Sequence, residues 1–443
     1  MSWLFRIEDS LTNKISYYHL LLLMASLPFD MFYSHIILIS FAVHTFIHLN
    51  KNSIRPIFKV KALALQSVFF VTVLSTVYAI DKPAAFEELG KHVAIFLFPL
   101  LFCLNPLDLK KYKPQLLMAF ALVCTASVIY LYFDALVIIK HYGLPFKTLF
   151  SAAFTNHNFS GPIRIHATFF SMQLAVALVY VLSVLVNGTS FYKKLFLLIC
   201  SIILTAGVVQ LSSKSIFAAL IIAVNVALPY FLLTGARRVK YITIAALVTV
   251  LAVVAIFNSN ALRNRYFVEL KQDLSKQPDG KTTDSRLARW DVATGLIIKA
   301  PVFGYGAGSE MGLLHEAFFK GKLYNSYLNG LNAHSQYLSF LIKSGIAGLL
   351  VYLATLSFGF KISFRQKDIP FFTFMVLIAI VSFSEDLLDV DKGTFFYAFF
   401  FSFFVFSYKG NSHNPPNAKQ SGVSRKKIKE GLKPETEGMP TAQ

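Results

Sequence analysis

Apolar residues in this chain are gathered into long runs, not spread at the three-to-four spacing of helices that bury a single face. Crossing ~30 Å of hydrocarbon takes roughly 20 helical residues. That ruler divides the sequence into twelve spans, near 15–30, 32–49, 62–80, 92–104, 115–139, 168–187, 195–212, 215–234, 241–259, 335–358, 370–384 and 393–408. Composition agrees, since only 15% of the 443 residues are charged and 55% are hydrophobic, against roughly 25% charged in a soluble domain. The chain reads as an all-α polytopic membrane protein with about 12 transmembrane helices. A cytosolic enzyme, a disulfide-stapled secreted domain and a disordered scaffold are excluded.

The formal charge of +19 invites a nucleic-acid reading until the positions are inspected. The charges sit between the apolar runs. With the N-terminus inside, the cytoplasmic connections hold seventeen lysines and arginines and the opposite short loops seven, which fixes the orientation by the positive-inside bias. Both termini then face the cytoplasm, and no nucleic-acid partner is implied. Cys103, Cys124 and Cys200 fall inside apolar runs without metal-ligand spacing, so neither a disulfide framework nor a zinc site is supported.

The chain divides into spans one to nine (1–259), a large outer loop (260–334), spans ten to twelve (335–408) and a polar tail (409–443). The tail is rich in Pro, Gly, Ser and Lys and reads as a disordered cytoplasmic extension, whose run Arg425-Lys426-Lys427-Ile428-Lys429 suits contact with anionic lipid.

The outer loop is the place to look for function. A helix is predicted from Ala261 to Gln277, ended by the turn signal Pro278-Asp279-Gly280. A second should run from Asp284, a good N-cap, to Ala300. On it Arg286, Arg289 and Trp290 share one face, as a phosphate or sugar clamp would require. Spacing alone favours the blander alternative, arginines snorkelling to headgroups beside an interfacial Trp. Gly304-Tyr305-Gly306-Ala307-Gly308 lacks the strand and the Gly-Lys-Ser/Thr of a nucleotide loop and suits a tight turn or close backbone approach. Asn332 is a natural N-cap for the tenth span, which would set His334 in the first helical turn, where the helix dipole favours a neutral imidazole able to accept a proton. A lone histidine there is more often simply hydrogen-bonded to a loop. Asp389-Val390-Asp391 has the Asp-x-Asp form of a divalent-metal holder, but a short acidic loop on the outer side has a simpler origin in the positive-inside bias.

Taken together, these pieces resemble the O-antigen ligase and O-antigen polymerase superfamily. The resemblance rests on His334-Ser335 followed by Gly345-Ile346-Ala347-Gly348-Leu349, on Arg286-x-x-x-Trp290, and on Pro301-x-x-Gly304-x-Gly306. Arg164-Ile165-His166-Ala167-Thr168-Phe169 is similar to the family's Arg-x-x-Gly-Thr-Phe, with Ala167 in place of Gly. Leu211-Ser212-Ser213-Lys214-Ser215 has Lys214 where arginine is usual, and Ser384-Glu385-Asp386 also looks familial. The resemblance covers roughly residues 160–400.

It implies a glycosyltransferase of the bacterial inner membrane, working at the periplasmic face on an undecaprenyl-diphosphate-linked glycan donor, with lipid A core or another glycan as acceptor. It implies no cofactor and no metal. His334 would be the catalytic base of an inverting displacement. Arg164, Arg286, Lys214 and, within the Arg-Trp face, Arg289 would bind the diphosphate. A ligase is favoured over a polymerase by the His-Ser signature. From other classes, a secondary transporter or a lipid-linked glycan flippase would instead predict ionisable groups within the spans, where only Asp30, Asp134 and Lys343 are found.

Overall fold

The computed structural model describes residues 2–49, 55–188, 190–275 and 284–408. The tail, with its basic run 425–429, and the turn at 278–280 lie outside them.

All twelve apolar runs fold as helices: α1 (Leu11–Ser26), α2 (Met31–Ile47), α3 (Val60–Val77), α4 (Lys82–Leu104), α5 (Leu109–His141), α6 (Ala167–Val186), α7 (Phe191–Leu211), α8 (Lys214–Leu232) and α9 (Gly235–Asn258), then, after the loop, α12 (Gln336–Gln366), α13 (Ile369–Val381) and α14 (Asp391–Phe406). The loop contributes α10 (Arg286–Ile297) and α11 (Ser309–Lys320). Seven of these helices (α3, α5 to α9 and α12) are long and apolar enough to cross a membrane, and α2 and α13 are shorter apolar helices. No strand occurs among the described residues.

The hydropathy ruler misplaced several ends. α4 begins ten residues before the expected 92, because the Asp81 carboxylate accepts the Ala84 N–H at 3.0 Å and Pro83 suits the first turn. Its polar opening turns carry Glu88 towards the loop. The helix expected over 261–277 is Asn260–Arg263, a π turn Asn264–Val268, and Glu269–Asp273.

α6 is buried nearly all round, while α9 exposes most of its apolar surface. A helix apolar on every side and exposed on most is suited to lipid. The phenylalanines find their place in the core: Phe371 and Phe374 of α13 pack rings against Phe401 and Phe404 of α14, and Phe98 of α4 meets Phe395 and Phe399.

Alternate connections collect at opposite ends. At one, Tyr112 donates to Asp9 at 2.7 Å, Lys113 pairs with Asp368, and Lys61 donates to the Tyr408 carbonyl at 3.3 Å. At the other, Lys392 donates to the carbonyls of Phe29 (3.0 Å) and Arg164 (2.7 Å), and the Gln336 N–H to Ser382 O (2.9 Å). The loop belongs to this second end.

Candidate active site

Two glycine motifs form one joint. α12 is broken at Gly345, whose φ of 62° and ψ of −163° are open only to glycine. The break frees carbonyls and amides that a continuous helix would pair. Residues 301–306 take them: Tyr305 N–H donates to Ile342 O (2.9 Å), Gly306 N–H to Lys343 O (2.8 Å), and Ile346 N–H to Pro301 O (2.9 Å). Gly308 N–H reaches Glu88 Oε2 at 2.6 Å. The loop is thereby fastened to both α4 and α12.

Beside that joint the N-termini of α8 and α10 open on a cavity of about 560 Å³. Lys214, Arg265 and Arg286 line it, together with four acids, Glu269, Asp273, Asp284 and Glu385. Helix N-termini carry partial positive charge and unpaired amides, which suits an anion. α10 is capped by Ser285, whose Oγ accepts the Ala288 N–H at 3.2 Å. The expected cap Asp284 instead accepts the Ser326 N–H at 2.6 Å. The Nε atoms of Arg265 and Arg286 are buried without a hydrogen-bond partner. Arg289 Nε, away from the cavity, is buried without a partner as well, and nitrogens closed to solvent in this way do not face the cavity. Lys214 is shared between Asp273 (3.5 Å) and Glu269 (3.8 Å), and Arg265 pairs with Glu269.

His334 lies just past the cavity wall, with Nδ1 3.5 Å from Glu385 Oε2. Thr168 Oγ1 donates to the other Glu385 oxygen at 3.4 Å. Burial opposes ionisation of Glu385, yet the His334 hydrogen bond and the charges of His334, His166 and Arg286 together hold its pKa below the usual value. The protein packed around His166 lowers its pKa against the pull of Glu385, although the residue keeps its solvent exposure.

The expected helical setting of His334 is corrected. α12 starts at Gln336, and His334 has φ +48°. Its neighbours' amides are claimed before the helix begins: Asn332 Oδ1 accepts the His334 N–H (3.1 Å), Glu310 Oε1 that of Ala333 (3.3 Å) and Asp386 Oδ1 that of Ser335 (2.8 Å). Asn332 thus makes an Asx turn, not an N-cap.

Trp290 donates its indole N–H to Ala333 O at 2.9 Å, so it braces the His334 segment and is not simply an interfacial anchor. Arg289 is buried and does not line the cavity. Burial, then the neighbouring Arg286, lowers its pKa. Arg164 is exposed and does not line the cavity either. The two aspartates of Asp-x-Asp part company, Asp389 to Lys343 (2.6 Å) and Asp391 to His35 (3.4 Å). Sequence reasoning missed Arg265, in a stretch with no distinctive spacing, and gave no role to His166, which lies inside the Arg164–Phe169 motif.

A second cavity of about 870 Å³, almost wholly apolar, lies among α6, α7, α8 and α9, lined by Leu178, Ile202, Leu220 and Val248 among others. Gln210 lines it, and Ser212 lines the polar one. A polar chamber lined by three cations and four carboxylates thus lies near one lined by apolar side chains.

These features define a helical membrane protein with a polar, charge-lined cavity at one end of its bundle. Residues 199–353 match the family model described as O-Antigen ligase, a match that supports the O-antigen ligase superfamily, whose members are membrane glycosyltransferase-like enzymes. The matched stretch contains Lys214, Arg265, Arg286, Arg289 and His334. No curated protein matches the chain.

Proposed function

We propose that this chain is an O-antigen ligase-type glycosyltransferase. It moves a glycan from undecaprenyl diphosphate to a sugar hydroxyl, with lipid A core as acceptor, at the periplasmic face of the inner membrane. The observation that carries this reading is the meeting of Lys214, Arg265 and Arg286 with the N-termini of α8 and α10 on one polar cavity, next to the His334–Glu385 pair.

The chemistry follows from the charges. The acceptor oxygen bonds to the anomeric carbon as the bond from that carbon to the diphosphate breaks, so negative charge grows on the leaving group. Arg286, Arg265, Lys214 and two helix N-termini meet it there. Glu385, ionised, orients the His334 ring through Nδ1. Nε2 is left to take the hydroxyl proton. One displacement of this kind inverts the anomeric carbon. The apolar cavity suits the polyprenyl chain.

Lys214 reaches the diphosphate by exchanging Asp273 and Glu269 for it. Arg289 supports the site from behind, as a buried cation, while Arg164 lies on the same end of the bundle and has the weaker claim on the diphosphate.

The deciding experiment combines the purified protein with lipid-linked glycan and lipid A core. Glycan on the core establishes the ligase. Growth of the lipid-linked chain alone marks a polymerase, and substrate passage across a vesicle without transfer would return the transporter reading.

A further inference from the structure

Next to His334 the protein buries more acid than base. Glu88 of α4, Glu310 of α11, and Asp386 and Asp389 of the segment before α14 gather near one ammonium, Lys343 of α12. Lys343 Nζ is 2.6 and 2.7 Å from the Asp389 oxygens, 3.3 Å from Glu88 and 3.7 Å from Glu310. Carboxylate oxygens of Glu310, Asp386 and Asp389 lie within 4.8 Å of one another, and the buried His92 of α4 forms a second such group with Glu88 and Asp389. The place of a cation among them is already taken by the lysine. Arg289 of α10 adds a positive field at Asp386. Four ionised carboxylates beside one buried ammonium still leave a large uncompensated charge, which a low-dielectric interior does not sustain.

Two of these acids have a second task. Glu310 accepts the N–H of Ala333 and Asp386 that of Ser335, the amides on either side of His334. The other oxygen of each, Glu310 Oε2 and Asp386 Oδ2, is buried without a hydrogen-bond partner, although both residues are nine-tenths buried or more. A carboxyl that keeps its proton sheds the charge and retains an acceptor oxygen for the amide.

We propose that Glu310 and Asp386 are positioning residues for His334, that at least one of them is protonated at neutral pH, and that the pair clamps the left-handed backbone presenting the imidazole. The proposal rests on the reading of His334 as the base. Burial, Lys343 opposing it and Asp389 reinforcing it, pushes Glu310 up to about 7. Burial and the neighbouring Glu310 and Asp389 push Asp386 well above the carboxylate range.

A glutamine or asparagine mimics the neutral acid, with an acceptor oxygen and no charge, whereas alanine removes the clamp. Glu310→Ala and Asp386→Ala should each lower kcat by at least about tenfold with the KM for lipid-linked donor little changed, since the cavity cations stay in place. Glu310→Gln and Asp386→Asn should restore most of that kcat. Turnover-independent support comes from thermal unfolding of the full chain in detergent between about pH 5.5 and about pH 8.5. A carboxyl whose folded pKa is raised stabilises at low pH and loses that contribution as pH rises through the folded value, so wild type should lose stability through about 7 and Glu310→Gln should be flatter. Unfolding is informative even if no glycan transfer is found, which separates failure of this proposal from failure of the enzymatic reading. Gln and Asn variants as damaged as the alanines, a loss confined to KM, identical unfolding profiles, or a rise in unfolding temperature with added calcium or magnesium that Glu310→Gln abolishes would each overturn the proposal.

Discussion

The amide of Gly306 donates to the carbonyl of Lys343 at 2.8 Å, an acceptor that is free because α12 breaks two residues further on. In an unbroken helix that carbonyl would bond the Ala347 amide. Ala347 instead donates to Val302 O at 3.3 Å. Residues some forty apart in sequence are therefore two halves of one joint, and the joint sets the loop, its Glu310 and the buried Lys343 in register.

Gly345→Ala should undo it. A Cβ there would sit 2.2 Å from Val302 O, on a backbone with φ +62°. Strain of this kind costs about 1–3 kcal/mol before any clash, so a loss above about 3 kcal/mol is expected, read as a large drop in unfolding temperature together with lost transfer. Gly312→Ala is the control, because it lies in α11 with open space around it. It should gain roughly 0.5–1 kcal/mol from helix propensity.

His334→Ala should abolish transfer while leaving abundance and unfolding temperature near wild type, since the half-buried ring contacts Glu385 without filling a core position. General-base removal typically costs about 10²–10⁴-fold. Glu385→Gln should fall between, because the ring remains but loses its orienting charge. Purified His334→Ala at full activity would remove the base assignment.

Arg286→Lys tests whether a guanidinium fork is needed. Lysine keeps the charge but offers no bidentate pair. Turnover should fall about 10–100-fold, equivalent to about 1.4–2.7 kcal/mol of lost transition-state stabilisation. Near-normal activity would return Arg286 to a headgroup-anchoring role.

The helices were legible because long apolar runs leave little choice of structure, and each of the twelve is found as a helix. What hydropathy cannot register is a polar helix end held by tertiary contacts, which is why the first turns of α4, with Glu88, went unseen. Arg286, Lys214 and His334 could be picked out because motif spacing marks them. Their geometry could not be, since Asn332 as an N-cap and Asn332 as an Asx turn are the same residue, and the choice is made by Glu310 and Asp386, distant in the chain. Lys343 reads as an isolated charge in an apolar span until α4, α11 and the segment before α14 bring four acids near it.

His166 adds to the loss of stability in acid. It caps α6, its Nδ1 accepting the Thr168 N–H at 3.4 Å, which only an unprotonated nitrogen can do. The protein packed around it lowers its pKa from 6.5 to about 4, although the residue itself is solvent-exposed. The unfolded chain therefore binds a proton that the folded one refuses between those values, and folding loses free energy as pH falls from about 6.5 towards about 4. Glu385, depressed as a carboxylate, adds to the loss once pH drops below its ordinary range. His166→Asn supplies an equally good cap that does not titrate. Its unfolding temperature should match wild type near neutrality and decline less steeply below about pH 6.5. An unchanged acid slope would show that His166 takes up its proton without disturbing the start of α6.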